Sequence, residues 1–232
     1  MSAPSNRTNA SAVLLEANND ACLLLDKLNS DPKVGNSINQ YLINSSRALI
    51  FTNTVKAGIG LGMQGGSGFM IVRLTGDRWS APCFITLAAA QAGAIFGVEK
   101  TETLMAVKEH TLVREVCEGR SPVLGSDLNV QVWPLTSGTQ GGLESMRFIW
   151  DQTSVMSISS SQGVIFDYSF KGGAIRPYTS RNAEVYGDLA ATKDILLGNI
   201  NAPQEFVPLY DKLNALASGK DGGVPPPASA SA

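Results

Sequence analysis

A chain of 232 residues with 44% hydrophobic and 16% charged residues can bury one substantial core or two small ones. Its formal net charge of −2 excludes the basic excess of a dedicated duplex-DNA reader, so no nucleic-acid partner is expected. Three widely spaced cysteines, Cys22, Cys83 and Cys117, form neither a C-x-x-C nor a zinc spacing and read as buried free thiols of a reducing compartment.

In chain order, residues 1–10 (MSAPSNRTNA) are polar and expected to be disordered. They lack the apolar stretch of a signal peptide, and Ser2 stands where myristoylation would need glycine. SAVLLEANNDACLLLDKL then places Leu14, Ala17, Ala21, Leu24, Leu25 and Leu28 on one helical face. Whether that face packs on its own domain or inserts into a membrane is open. DPKVGNSINQYL opens like a helix, with Asp31 as cap and Pro32 as first residue. After RALIF the texture becomes short strands and glycine-rich turns. KEHTLVREVCEG predicts a helix stopped at Gly119. VLGSDLNVQV alternates as a strand, with Leu124, Leu128, Val130 and Val132 on one face and Asp127, Asn129 and Gln131 on the other. TSGTQGG reads as a loop, GVIFDYSF as strand, TKDILLG as a helical turn. PQEFVPLYDKLNAL predicts a last helix with Phe206, Leu209, Leu213 and Leu216 facing in. Residues 218–232 form a Pro/Ala/Ser tail expected to be disordered. The class is α+β, one domain over residues 11–217.

Two stretches invite sharper readings. KAGIGLGMQGGSGFM contains G-x-G-x-x-G, but GFMIVRL follows it where a dinucleotide site needs a helix, so the nucleotide reading is rejected. The expectation is a hairpin turning at Gly65-Gly66, with Gly62 opposite Phe69, Gly60 opposite Ile71 and Gly58 opposite Arg73. That register sets Lys56 diagonal to Arg73 on one face. From Trp79 to Val98 no residue is charged, about the length of a membrane span. Its alanines, Pro82, Thr86, Gln91 and Gly93 make it weakly apolar. Two buried strands, CFITL and AIFGV, joined by the turn AAAQAG, are expected instead.

VKAGIGLGMQGGSGFMIVRL followed by GDRWSAPCFI resembles the SYLF domain family. The matching residues are Lys56, Ala57, Gly58, Gly66, Gly68, Arg73, Trp79, Ser80 and Pro82. IFGVEKTE, VLGSDLNVQV, SSSQGVIFDYSFKGG and RNAEVYGDLAATKDILLG continue the pattern, so the resemblance runs from about Ser37 to Leu216. VWPLTS at 132–137 and Phe166-Asp167 depart from it, and the first helix is acidic (Glu16, Asp20, Asp26) where lipid-binding members are often basic. The resemblance implies a non-enzymatic module, and glycines set opposite large side chains suit a strongly curved, barrel-like antiparallel sheet with the terminal helices packed against it. It also implies reversible binding to phosphoinositide membranes, to actin filaments, or to both, at endocytic sites. This chain shows neither the SH3 nor the FYVE domain that many members carry.

The residues themselves offer little catalysis. His110 is the sole histidine and sits in a charged helical stretch, so a solvated role is expected. Asp127 and Asp167 have no identifiable partner, no G-x-S-x-G occurs, and no ligand cluster suggests a metal or cofactor. From Pro32 to Gly76 there is no Asp or Glu, but there are Lys33, Arg47, Lys56 and Arg73. The plain reading is scattered solvated charge. The functional one is a contact with an anionic phospholipid surface or with actin, at about 1 kcal/mol per basic residue. GGVPPPASASA could make a weak SH3-type contact, although it lacks a flanked P-x-x-P. The expected location is cytoplasmic, with peripheral attachment to membrane or cytoskeleton. A curved-sheet carrier of apolar ligands, or an enzyme with a site invisible in sequence, are the alternatives.

Overall fold

The computed structural model describes residues 4–31, 41–75, 78–124, 127, 130–132, 148–161, 164–166 and 173–219. For 4–7, 56–64, 89–99, 132, 161 and 164–166 it gives the backbone course alone. Helix α1 spans Pro4–Ser30, beginning upstream of the expected start at Ser11. A helical turn at Ile43–Ser45 leads into strand β1, Ala48–Val72. Strand β2, Cys83–Val107, returns beside it. Then come α2 (His110–Cys117), β3 (Val130–Val132), β4 (Val155–Ser161), β5 (Val164–Phe166) and β6 (Ala174–Pro177). Helices α3 (Thr179–Tyr186), α4 (Thr192–Leu196) and α5 (Val207–Ala217) close the chain.

The sheet runs β1-β2-β4-β3, with β6 added to the first half of β2 and β5 to β4. The curled α+β architecture is the one expected, but the sheet is mixed, because β3 pairs with β4 in parallel. Alternation along the strands builds two cores. Leu49, Phe51, Phe69, Ile71, Phe84, Leu104 and Ile158 face α1 and α5. Ile50, Met70, Ile85, Met105, Val107 and Val155 face α2 and α4. A sheet covered on both faces explains why ALIF and LMAV are unbroken apolar runs.

The expected hairpin at Gly65-Gly66 does not form. Both glycines are interior to β1, paired with Ala88 and Leu87 of β2. The chain instead reverses between Val72 and Cys83. AAAQAG is likewise no turn: Ala88, Ala89 and Ala90 continue β2 opposite Gly65, Gln64 and Met63. A straight ribbon of 25 residues would be about 80 Å long. Yet its two ends touch, since Arg73 N–H donates to the Arg47 carbonyl at 2.8 Å. The ribbon therefore doubles over. Between Ile59 and Leu61 the partner changes from Phe96 to Ala92, so two steps along β1 match four along β2, a bulge that bends the ribbon. Where β1 crosses itself, a Cβ on Gly68 would lie 1.9 Å from the Phe51 carbonyl oxygen, and one on Gly66 2.1 Å from that of Asn53. The glycines are there for the fold, as expected, but through close backbone approach and not through a turn.

Helix α1 packs on the domain. Leu14, Ala21, Leu24, Leu25 and Leu28 are buried in the first core. Two of its acidic residues are ties: Asp20 accepts from Asn53 Nδ2 at 2.9 Å, and Asp26 pairs with Lys212 of α5. Lys27 pairs with Glu102 at 2.5 Å. The expected strand 123–132 is described only in part. Among its described residues, Val123 makes a single bridge with Ala174, Asp127 accepts from the Val123 N–H at 2.8 Å, and ladder pairing is seen at Val130–Val132. The 110–117 helix, Gly119 (φ 72°) and the buried face of α5 lie where the sequence placed them.

Candidate functional site

The segment between β1 and β2 is wired to the C-terminal part of the chain. Ser80 Oγ accepts from the Val72 N–H at 2.9 Å, and Tyr210 Oη donates to the Ser80 carbonyl at 2.9 Å. Tyr186 Oη donates to the Pro82 carbonyl at 2.7 Å. Asn182, itself buried, accepts from the Phe84 N–H at 2.8 Å and donates to the Phe84 carbonyl at 3.0 Å. The motif residues of WSAP and RNAEVYG are thus two halves of one hydrogen-bonded corner.

The structure brings Arg47 and Arg73 to this corner as backbone partners. Arg47 is exposed. Arg73 is half-buried and acts as a brace. Its Nη2 donates to the Ile43 carbonyl at 2.6 Å and its Nε to the Ser46 carbonyl at 3.3 Å. Its Cζ sits 4.4 Å from the Trp79 ring centroid, a cation–π stack. It satisfies the carbonyls at the end of the Ile43–Ser45 turn, as a cation at a helix C-terminus does. Lys56 is not diagonal to it. Lys56 pairs with Glu99 across the ribbon, nine residues along β1 from Arg47, up to about 30 Å away. The side-by-side placement of Lys56 and Arg73 fails with the hairpin register that produced it. Lys33, Asp167 and the Pro-rich tail lie outside the described residues. Arg78, which sequence reasoning did not single out, is exposed at the same corner, with its carbonyl accepting from the Leu74 N–H at 2.7 Å.

A cavity of about 370 Å³ opens here, lined by Leu74, Arg78, Trp79, Ile200, Asn201 and Asn214 among others. Trp79 is 5% exposed, and its Nε1–H meets no hydrogen-bond acceptor among the described residues. Among the described residues that line it, none is Asp or Glu. A second cavity of about 190 Å³ lies under α1, floored by Phe51, Phe69 and Phe84 and edged by Glu16, Asp20, Glu102 and Arg181. Three of those charges are already engaged, by Asn53, Lys27 and Glu184.

Nothing described here resembles a catalytic set. His110 is exposed at the start of α2. Burial pushes the Cys83 thiol up to about 12, and it raises Cys22 and Cys117 as well, so these are weak nucleophiles at neutral pH. No cluster of metal-ligating side chains occurs among the described residues. No described helix is long and apolar enough to cross a membrane, and the uncharged stretch after Trp79 belongs to β2.

A family model described as Ysc84, Las17-binding protein actin regulator, matches residues 88–216, and this is the SYLF domain that the sequence resembles. The chain is 30% identical over 177 residues to Protein YSC84 of Saccharomyces cerevisiae, covering 76% of this chain and 37% of that one. It is 29% identical over 176 residues to SH3 domain-containing YSC84-like protein 1 of Xenopus laevis, covering 75% and 51%. Identity is also 29% over 176 residues with LAS seventeen-binding protein 3 of S. cerevisiae, covering 76% and 38%. The chain thus spans between roughly a third and a half of the length of these relatives.

Proposed function

The chain belongs to the Ysc84 family, and from that premise we propose that it is a non-enzymatic binding module of actin regulation. It works in the cytoplasm by reversible contact with actin filaments and with anionic, phosphoinositide-bearing membrane. The observation that carries the reading is the family match over the structural heart of the domain, β2 to α5. The corner at Arg47, Arg73 and Arg78 supports it by offering cationic groups on a rigid base. Arg47 and Arg78 are the exposed contacts, and Arg73 holds the corner in shape.

Co-sedimentation tests this. The purified chain should pellet with filamentous actin and with phosphatidylcholine vesicles containing phosphatidylinositol 4-phosphate. Both should weaken with added salt, because exposed charges are screened beyond about 8–10 Å at physiological ionic strength. Arg47→Glu with Arg78→Glu should weaken pelleting by about tenfold or more, through lost and reversed attraction. Failure of the unaltered chain to pellet with either would overturn the proposal.

A further inference from the structure

We propose that the cavity under α1 is a docking site for a partner peptide that inserts one large apolar side chain flanked by Lys or Arg. This goes beyond the reading above, because the mouth of this cavity is acidic and would repel an anionic membrane. One stripe of α1 forms the roof: Val13, Glu16, Ala17, Asp20, Ala21 and Leu24 recur at helical spacing and line the cavity. The floor is the aromatic cluster of the first core, Phe51, Phe69 and Phe84. Ala17 and Ala21 are too short to fill the space between roof and floor.

Charge decides what enters. Glu102 is paired with Lys27 at 2.5 Å and Arg181 with Glu184 at 3.1 Å, so those four cancel. Asp20 accepts from the neutral amide of Asn53, a bond that brings no positive charge. Glu16 is exposed and has no ion pair among the described residues. Glu16 and Asp20 stand four residues apart on one helix face, a like-charged spacing that weakens a helix and that stability alone would not select. A cation at the mouth relieves it. The floor sets opposite terms, since a charge placed against the rings would lose its water and gain no counter-ion. The ligand therefore enters apolar end first and leaves its charge at the rim. The volume sets its size. About 190 Å³ falls below the roughly 300–1,000 Å³ of sites that hold a whole small molecule, so the cavity suits one large side chain. An apolar anchor in a pocket with its charges at the rim is how a short peptide segment is held.

The test is a ¹H–¹³C methyl spectrum of the full chain, with the Val13 resonances assigned by their loss in Val13→Ala. They should move saturably on addition of acetyl-Arg-Phe-Arg-amide. Acetyl-Glu-Phe-Glu-amide, which has the anchor without the cations, and acetyl-Arg-Ala-Arg-amide, which has the cations without the anchor, should not move them. Two variants at exposed positions lining the cavity probe the two terms separately. Glu16→Lys reverses charge at the mouth, and Ser67→Phe fills the space. Each should weaken binding of the first peptide about tenfold or more. If one variant does not fold, the other and the peptide series still decide. Val13 resonances indifferent to the first peptide, an equal response to either control, or unchanged binding in the folded variants would overturn the site. No filament or phosphate enters these measurements, so a failure here is separable from a failure of the reading above.

Discussion

The place where β1 crosses itself and the corner where β1 ends are built on opposite terms. At the crossing, Gly66 and Gly68 lie against the backbone of residues 51–54 with no room for a Cβ, and Phe51 stacks on Phe69 at 5.1 Å. At the corner, side chains do the joining: Arg73, Ser80, Asn182, Tyr186 and Tyr210 each bond a backbone group of a neighbouring segment. The crossing needs the absence of side chains. The corner needs particular ones, and beside them stand exposed arginines and an indole whose donor meets no acceptor among the described residues. The difference teaches that glycine richness marks the closure of this sheet, while the chemistry lies where polar side chains converge.

Substitutions can break or sharpen that contrast. Gly68→Val should have the largest effect, because its Cβ would collide with a backbone carbonyl that cannot swing away. A loss of about 3 kcal/mol or more is expected, read from the urea midpoint. A midpoint close to that of the unaltered chain would mean the crossing is looser than described. Arg73→Met at the corner should cost less, about 1–3 kcal/mol, from two bonds to the Ile43 and Ser46 carbonyls and the stack on Trp79. Equal losses at the two sites would erase the distinction. Arg78→Gln should change stability by no more than about 0.5 kcal/mol, since the residue is exposed. A large destabilisation there would make Arg78 part of the frame and not of a contact surface.

Much of the helical structure was legible because its signals are local. Leu14, Leu24, Leu25 and Leu28 of α1, and Phe206, Leu209, Leu213 and Leu216 near the C-terminus, mark buried faces by spacing alone. Gly119 stops α2 by its positive φ. The sheet was legible in class but not in register. Gly65-Gly66 offers a turn of two residues, and the local rule prefers it. What overrode the rule is a contact between residues 66–68 and 51–54, a dozen or more positions apart, invisible to any short window. The same register error joined Lys56 to Arg73. Arg78 went unnoticed for another reason: its place beside Asn214 depends on how α5 docks.

By itself the sequence determined the α+β class, the apolar faces of the terminal helices, the family, and the conclusion that the glycines serve the fold. Each of these rests on residue type and on spacings shorter than one element. Only the tertiary structure decided where the ribbon folds back and that α1 packs on the domain, spending its acidic residues on Asn53 and Lys212. It alone decided which cations share a corner. Those outcomes depend on backbone crossings and on donors left unmet after packing, and both exist only once distant segments have come together.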